Sequence, residues 1–527
     1  MTGSGQSVAL LQFDGYYTLD ITNYETQFGL PAVPLVNVPI NVGVPTPGSG
    51  QSEVCLDIEM CMSMAPGLST IYVYEGPNGG TAWSTILGRI QTDNLAKQVS
   101  CSWGNTGPGT DQASENIFML MKGQGQSFFN ATGDGDAFVG SIPFPSESTN
   151  ITQVGGTTLN TSGGTCGGSY VSEHVWNWNN GTGSSGGIST DYGIPSYQAG
   201  VSMANNQGST TMRNVPDVAL TADNIYVRYN NGGSGNFGGT SCAAPLWAGF
   251  TALINQQSVA AGHGTVGFLN PALYAIGSSP SYTLNFHDII VGNNFSSSSP
   301  SHFSAAAGYD LCTGWGTPNG TNLINSLAGP AITIPILLAN SITLLQETCT
   351  NNAVDPGETV SMSFGLKNLG TANTTNLVAT LLASGGVTAP SGPQTFGAVV
   401  AGGAAVSRTF SFTATGTCGG TNVATLQLSD GGTSLGAVTF SFRLGQLVTS
   451  FSENFDEVTA PALPTGWATS ASGVESPWVT VTSPHDTAPN SVFAPDPNYI
   501  GESELDSPPV NLPAVPMQLT FRHSYDT

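Results

Sequence analysis

The residues best equipped for chemistry sit in "GGTSCAAPLWAG" (238–249), where a glycine-rich turn delivers Ser241 to the start of an apolar helical run at 243–257. A serine hydroxyl is a weak nucleophile until a base takes its proton. The chain has six histidines: His174, His263, His287, His302, His485 and His523. His263 is followed by Gly-Thr but comes after the serine, between helix-like segments, and reads as a turn; the other histidines have no better claim. The acids upstream do. Glu53 and Asp57, in "SEVCLDIEM" (52–60), are four apart on a predicted helix, so both carboxyls project from one face. Like charges at that spacing destabilise a helix. They are either solvated acids near a helix N-terminus, where the dipole favours anions, or a pair held for chemistry. The apolar neighbours Val54, Leu56, Ile58, Met60 and Met62 weigh against a purely solvated face. Asp134, in "NATGDGDAF" (130–138), follows directly on a predicted strand and reads either as a turn former or as a site residue.

These residues need a scaffold, and the pattern up to about residue 330 supplies an α/β one. Buried-strand runs are predicted at 7–13, 69–75, 97–103, 127–132 and 217–220, with helices at 52–66 and 113–126 among the segments between them. Strand, helix, strand at this spacing predicts a parallel sheet with right-handed crossovers. Its functional residues should collect at the carboxyl ends of the strands. From 336 to 445, short alternating runs separated by Gly, Pro and Asn turns predict an antiparallel β-sandwich. A third β-rich segment, 450–527, opens at "FSENFDEVTAPALPTGW".

Composition narrows the function classes. Of 527 residues only 8% are charged, against roughly 25% in an average soluble protein; 33 are acidic and 9 basic, a net charge of −24 at pH 7. With no basic cluster, nucleic acid and anionic membrane are poor candidate partners. Such a surface suits a protein working in acid, or equally an ordinary acidic secreted protein. The eight cysteines show no metal-type spacing; Cys349 and Cys418, near the two ends of the sandwich segment, read as one disulfide. No apolar run reaches the ~20 residues of a membrane span. No signal peptide opens the chain, and both ends fall in or near strands, so it reads as a piece of a longer, secreted protein.

Together the motifs are specific where each alone is weak. "GGTSCAAPLWAG" resembles the nucleophile motif of the sedolisin family of serine-carboxyl peptidases, relatives of subtilisin that use Glu and Asp in place of His. "EVCLDIEM" is similar to the family's Glu-x-x-x-Asp helix, and "SCSWG" (100–104), "ATGD" (131–134) and "SGGIST" (185–190) resemble its other active-site stretches, in the family's order over about 1–325. The resemblance implies a subtilisin-like fold with Ser241 as nucleophile, Glu53 as general base, Asp57 orienting it, and Asp134 stabilising the oxyanion. It points to Trp103, Gly186 and Gly187 as substrate-binding; Trp103 and Trp176 either line the cleft or pack in the core. One structural Ca²⁺ is implied, held by Asp288 and Asp310 with the carbonyls of Ile289, Ala306 and Gly308 in "FHDIIVGNN" and "SAAAGYDLCTGWGTP". Gln12 stands where some members carry a glutamate, and Asp134 is followed by Gly-Asp rather than the commoner Ser-Gly. The family's prosegment has no counterpart in these residues. The opening of the last segment resembles jelly-roll or MAM-like modules, which leaves protein, carbohydrate or cell-surface binding open. The expectation is a monomeric, acid-acting endopeptidase cutting polypeptides. The alternatives are a tripeptidyl-peptidase of the same fold, an inert peptidase-like adhesin, and a calcium-dependent structural module.

Overall fold

The apolar strand runs fold, in a computed structural model of the chain, into a seven-membered parallel ladder with helices on both faces. Residues 1–79, 81–104, 109–163, 168–329, 335–370, 372–446, 449, 451–483, 487–495, 501–511 and 519–523 are described. Cys166 and His485 lie outside them.

In chain order the strands are β1 (Ser7–Gln12), β2 (Leu35–Pro39), β3 (Thr70–Glu75), β4 (Gln98–Cys101), β5 (Ser127–Ala131) and β6 (Gly135–Ala137). They continue with β7 (Thr152–Ser162), β8 (Ser169–Val175), β9 (Gly183–Gly193), β10 (Met212–Val215) and β11 (Val218–Thr221). The ladder runs β11-β7-β5-β4-β1-β3-β2, with β8 antiparallel on β7. A smaller sheet pairs β6, β9 and β10. Five strands begin and end within two residues of the sequence reading. β7 escaped it because it is rich in glycine and threonine rather than apolar residues. Gly155 and Gly156 are what it contributes to the packing: a Cβ at either would press on Pro216 or Trp176.

The helices around this sheet include α1 (Thr18–Phe28), α2 (Gln51–Met64), α3 (Ala82–Asp93), α4 (Gln112–Gly123) and α5 (Thr240–Ala260). The period of two along β1 sorts its side chains to the two faces. Val8 and Leu10 join the core beneath α2 and α5. Ala9 and Leu11 face α3 and α4. Helices α2 and α5 are buried along most of their length and cross closely at Gly249, where a Cβ would lie 2.9 Å from Met64 Cβ and 3.1 Å from the Cys61 carbonyl.

Strands Leu337–Gln346, Thr359–Asn368, Val387–Thr388 and Val406–Ala414 form one antiparallel sheet. Leu377–Leu381, Gln394–Gly397, Thr421–Asp430 and Thr433–Arg443 form the other, and the two enclose an aromatic core of Phe364, Phe410, Phe412 and Phe440. Further on, Ala468–Ser472 pairs with Glu502–Asp506 and Val479–Val481 with Ser491–Phe493. The expected disulfide is not formed: Cys349 and Cys418 are free, exposed thiols. Cys349 is held in its own loop, its N–H donating to Glu358 Oε1 at 2.6 Å, while Cys418 packs against Gly445. Among the described residues, no helix is long and apolar enough to cross a membrane.

Candidate active site

The carboxyl ends of β1, β4 and β5 converge on the N-terminus of α5. Parallel sheets gather site residues at that edge, and here they bring Gln12, Ser102 and Asp134 around Ser241. Helix α2 adds Glu53 from its first turn and Asp57 from its second. Its start is fixed by Asp14, whose carboxylate accepts from the Gly48 and Gly50 N–H groups, each at 2.7 Å. Gly50 is required by close approach, since a Cβ there would lie 2.8 Å from the Trp103 ring.

Asp57 is fully buried and accepts from Ser102 Oγ at 2.7 Å and from Gln12 Nε2 at 2.6 Å. Gln12 in turn accepts from the Trp103 indole at 2.8 Å, so the neutral amide both donates and accepts. Burial pushes the Asp57 carboxyl well above the ordinary range, and those two donors draw it part of the way back. Glu53 is raised as well, by burial first and by the neighbouring Asp57 second, while the Ser241 and Ser102 hydroxyls oppose the shift. It stays partly open to solvent, and its Oε1 has no hydrogen-bond partner. That leaves one oxygen of the Glu53 carboxyl unpartnered.

Pro245 explains Ser102. With no N–H, a proline inside a helix leaves the carbonyl four residues earlier without its donor. That carbonyl belongs to Ser241, and Ser102 Oγ sits 3.3 Å from it. One hydroxyl thus joins Asp57 to the backbone of the serine. Nothing in "SCSWG" singled out Ser102 beforehand; the signal was the proline four residues after Ser241.

Asp134 is exposed on the loop after β5. Its Oδ1 accepts from the Thr240 N–H and hydroxyl, each at 2.8 Å, and the Thr240 hydroxyl accepts from the Gly133 N–H at 3.0 Å. Desolvation raises its pKa against these donors. Oδ2 points to Gly239, 3.1 Å from where a Cβ would stand. Two residues on, Asp136 is buried at φ +60°, and neither carboxylate oxygen has a partner.

Other residues that the motifs singled out fall elsewhere in the molecule. Trp103 is half-buried, packed edge-on against Phe13 behind Asp57. Gly186 and Gly187, read as substrate-binding, are both buried: a Cβ on Gly186 would meet the Leu311 carbonyl and one on Gly187 would meet Phe138. Trp176 is fully buried in the core. His263 lies in an exposed turn beyond the end of α5; at 1.5 Å per residue it is roughly 30 Å from Ser241. A cavity of 480 Å³ opens further along α5, lined by Met64, Leu246, Phe250, Leu253, His287 and Ile324, and includes none of the site residues.

Asp288 and Asp310 come from two loops, and both accept from the backbone of the 306–308 turn. Asp288 accepts from the Tyr282 hydroxyl at 3.0 Å and from the Gly308 N–H at 3.1 Å; Gly308 adopts φ +85°. Asp310 is fully buried and accepts from the N–H groups of Ala306, Cys312 and Thr313 at 2.8–3.0 Å. These donors are neutral, and burial pushes Asp310 up to about 7. Two carboxylates with no basic side chain among their contacts are oxygen donors of the kind a hard divalent ion takes.

The subtilase family matches residues 59–266, a span that starts beyond Glu53 and Asp57. Kumamolisin from Bacillus sp. (strain MN-32) is 33% identical over 349 residues, covering 62% of this chain and 61% of that protein. Sedolisin from Pseudomonas sp. (strain 101) is 32% identical over 300 residues, 51% of this chain and 48% of that one. Rat tripeptidyl-peptidase 1 is 26% identical over 359 residues. The chain therefore spans between about half and six tenths of the length of the first two relatives. A solved structure of Pseudomonas sedolisin, complexed with two molecules of pseudo-iodotyrostatin, superposes with a TM-score of 0.54 at 27% identity, covering 62% of this chain and 92% of that one. Sheet order, relatives and solved neighbour agree on a subtilisin-like fold, and over roughly its first two thirds the chain is similar to kumamolisin and sedolisin.

Proposed function

We propose that the chain is a serine-carboxyl endopeptidase in which Ser241 attacks the peptide carbonyl and Glu53 takes its proton. The observation that carries this reading is the Glu53 carboxyl, on which the Ser241 hydroxyl acts as a hydrogen-bond partner, with Asp57 held beside it by Ser102 and Gln12. A carboxylate whose pKa is raised by burial and by a neighbouring carboxyl is a stronger proton acceptor once ionised. As Oγ bonds to the carbonyl carbon, the developing oxyanion is met by the Ser241 N–H and by Asp134. Because Thr240 occupies Asp134 Oδ1, the carboxylic proton belongs on Oδ2, which can donate only while Asp134 is neutral. Glu53 then gives its proton to the leaving amine, and water, deprotonated by Glu53, releases the acyl group from Ser241.

Calcium fits as a structural ion. Asp288, Asp310 and the carbonyls of Ile289, Ala306 and Gly308 would hold it, and its charge would let both carboxyls ionise in their loop.

The test is cleavage of an unfolded protein from pH 2 to 8, with circular dichroism as a folding control. Activity should peak in acid, and Ser241→Ala should lose at least about 10⁴-fold. Activity that peaks near neutrality, or that survives in Ser241→Ala, would sink the reading. A tripeptidyl-peptidase is the second reading, favoured by the tripeptidyl-peptidases among the relatives. It requires that acetylating the substrate's amino terminus abolish cleavage.

A further inference from the structure

We propose that Trp178 sets substrate preference, its exposed indole receiving an apolar side chain of the peptide close to the scissile bond; this rests on the peptidase reading above. Trp178 is 46% exposed, and a single exposed aromatic ordinarily needs no explanation. This one is fixed on three sides and borders the nucleophile. Its indole N–H donates to Asp223 Oδ1 at 3.0 Å, and Asp223 is itself held by the Thr158 hydroxyl at 2.9 Å. Its ring meets the buried Trp176 edge-on, centroids 5.5 Å apart. On the third side it covers Gly238, where any side chain would collide with the indole, three residues before Ser241.

The hairpin that carries Trp178 is joined directly to the cleft. The Trp178 N–H donates to the Thr182 carbonyl and the next residue's N–H, on Gly183, donates to the carbonyl of Asp134, both at 2.9 Å. The indole therefore flanks both the loop that carries Asp134 and the turn that leads into Ser241. Because the ring is already immobilised, binding against it costs little further rotamer freedom, which is what makes fixed aromatics effective contact surfaces.

The experiment compares peptides of one parent sequence carrying Leu, Phe or Ser in turn at each of the three positions on either side of the scissile bond. kcat/KM is measured for wild type, Trp178→Phe, Trp178→Ala and Asp223→Ala, with thermal melts to confirm folding. Wild type should favour Leu or Phe over Ser by about tenfold at one position. Trp178→Ala should flatten that ratio towards one, Trp178→Phe should keep most of it, and Asp223→Ala, which removes the acceptor of the indole N–H and frees the ring, should fall between. An unchanged ratio, or an equal loss on every peptide, overturns the inference. Should wild type cleave none of them, the peptidase reading itself fails, and calorimetric binding of the same Leu and Ser peptides decides: equal affinities overturn the role of Trp178, while a preference for Leu lost in Trp178→Ala sustains it.

Discussion

Glu53 and Asp57 meet their partners through side chains, whereas Asp288 and Asp310 meet theirs mainly through backbone N–H groups. The first pair sits on one buried helix, with few donors and one carboxylate oxygen left free. The second pair is spread over two loops, and one of its members takes three backbone hydrogen bonds. Backbone donors cannot swing away without unmaking a turn, so they fix a carboxylate in place. Hydroxyl and amide side chains can re-orient, and a free lone pair can accept a proton. Equal numbers of acids thus serve opposite ends: one arrangement leaves room for proton transfer, the other does not.

The sharpest way to break that contrast is Glu53→Gln, which keeps shape and removes the base. It should cost about 10³-fold in kcat, within the range for loss of a positioned base; a loss below tenfold would assign the proton elsewhere. The next test uses pH on the folded state. Burial raises the pKa of Glu59 to about 9 and of Glu147 to about 7, above an ordinary 4.5. Between pH 4.5 and those values the folded protein binds more protons than the unfolded chain, so this contribution is full below about pH 4.5 and is lost as pH climbs through 7 and 9. The thermal midpoint should be higher at pH 4 than at pH 8, and the reverse order would refute the linkage. Asp310→Asn should then cost about 2 kcal/mol through weakened hydrogen bonds to a charged group, a fall in melting temperature of roughly 4–8 °C. A chelator should lower the midpoint of wild type and leave that variant where it is. The smallest effect belongs to Gln12→Ala, a positioning change behind Asp57: about tenfold in kcat, with the acid limb of the pH profile displaced and KM unaltered.

The legible part of this molecule was the part written in apolar periodicity. The runs that became β1, β3, β4, β5 and β11 showed themselves because each is buried on both faces, and α2 and α5 because long apolar stretches admit few other structures. Ser241, Glu53, Asp57 and Asp134 were legible as motif positions, and the structure brings all four to one edge of the sheet. The remainder depended on contacts between distant segments. Ser102 acts across 139 residues through a carbonyl orphaned by Pro245. Gly186 and Gly187 stood out only through the resemblance of "SGGIST", and what a side chain there would meet, the Leu311 carbonyl and Phe138, comes from distant segments. Cys349 and Cys418 suggested a bond by position in the sequence, but each thiol is placed by its own loop. Trp178 carried no sequence signal at all, since an aromatic in an Asn-rich turn gains meaning only from what it covers.

Helix α5 has a consequence for how this protein would fail. It begins at the residue before Ser241 and runs 21 residues through the main core, buried on nearly every side. Segments of that kind exchange their amide hydrogens only when the whole domain opens. The nucleophile is therefore mounted on the part of the chain that is last to come apart, while the hairpin bearing Trp178 lies at the surface. Heating should then blur selectivity among substrates before it stops turnover, and turnover should end at the same temperature as the fold.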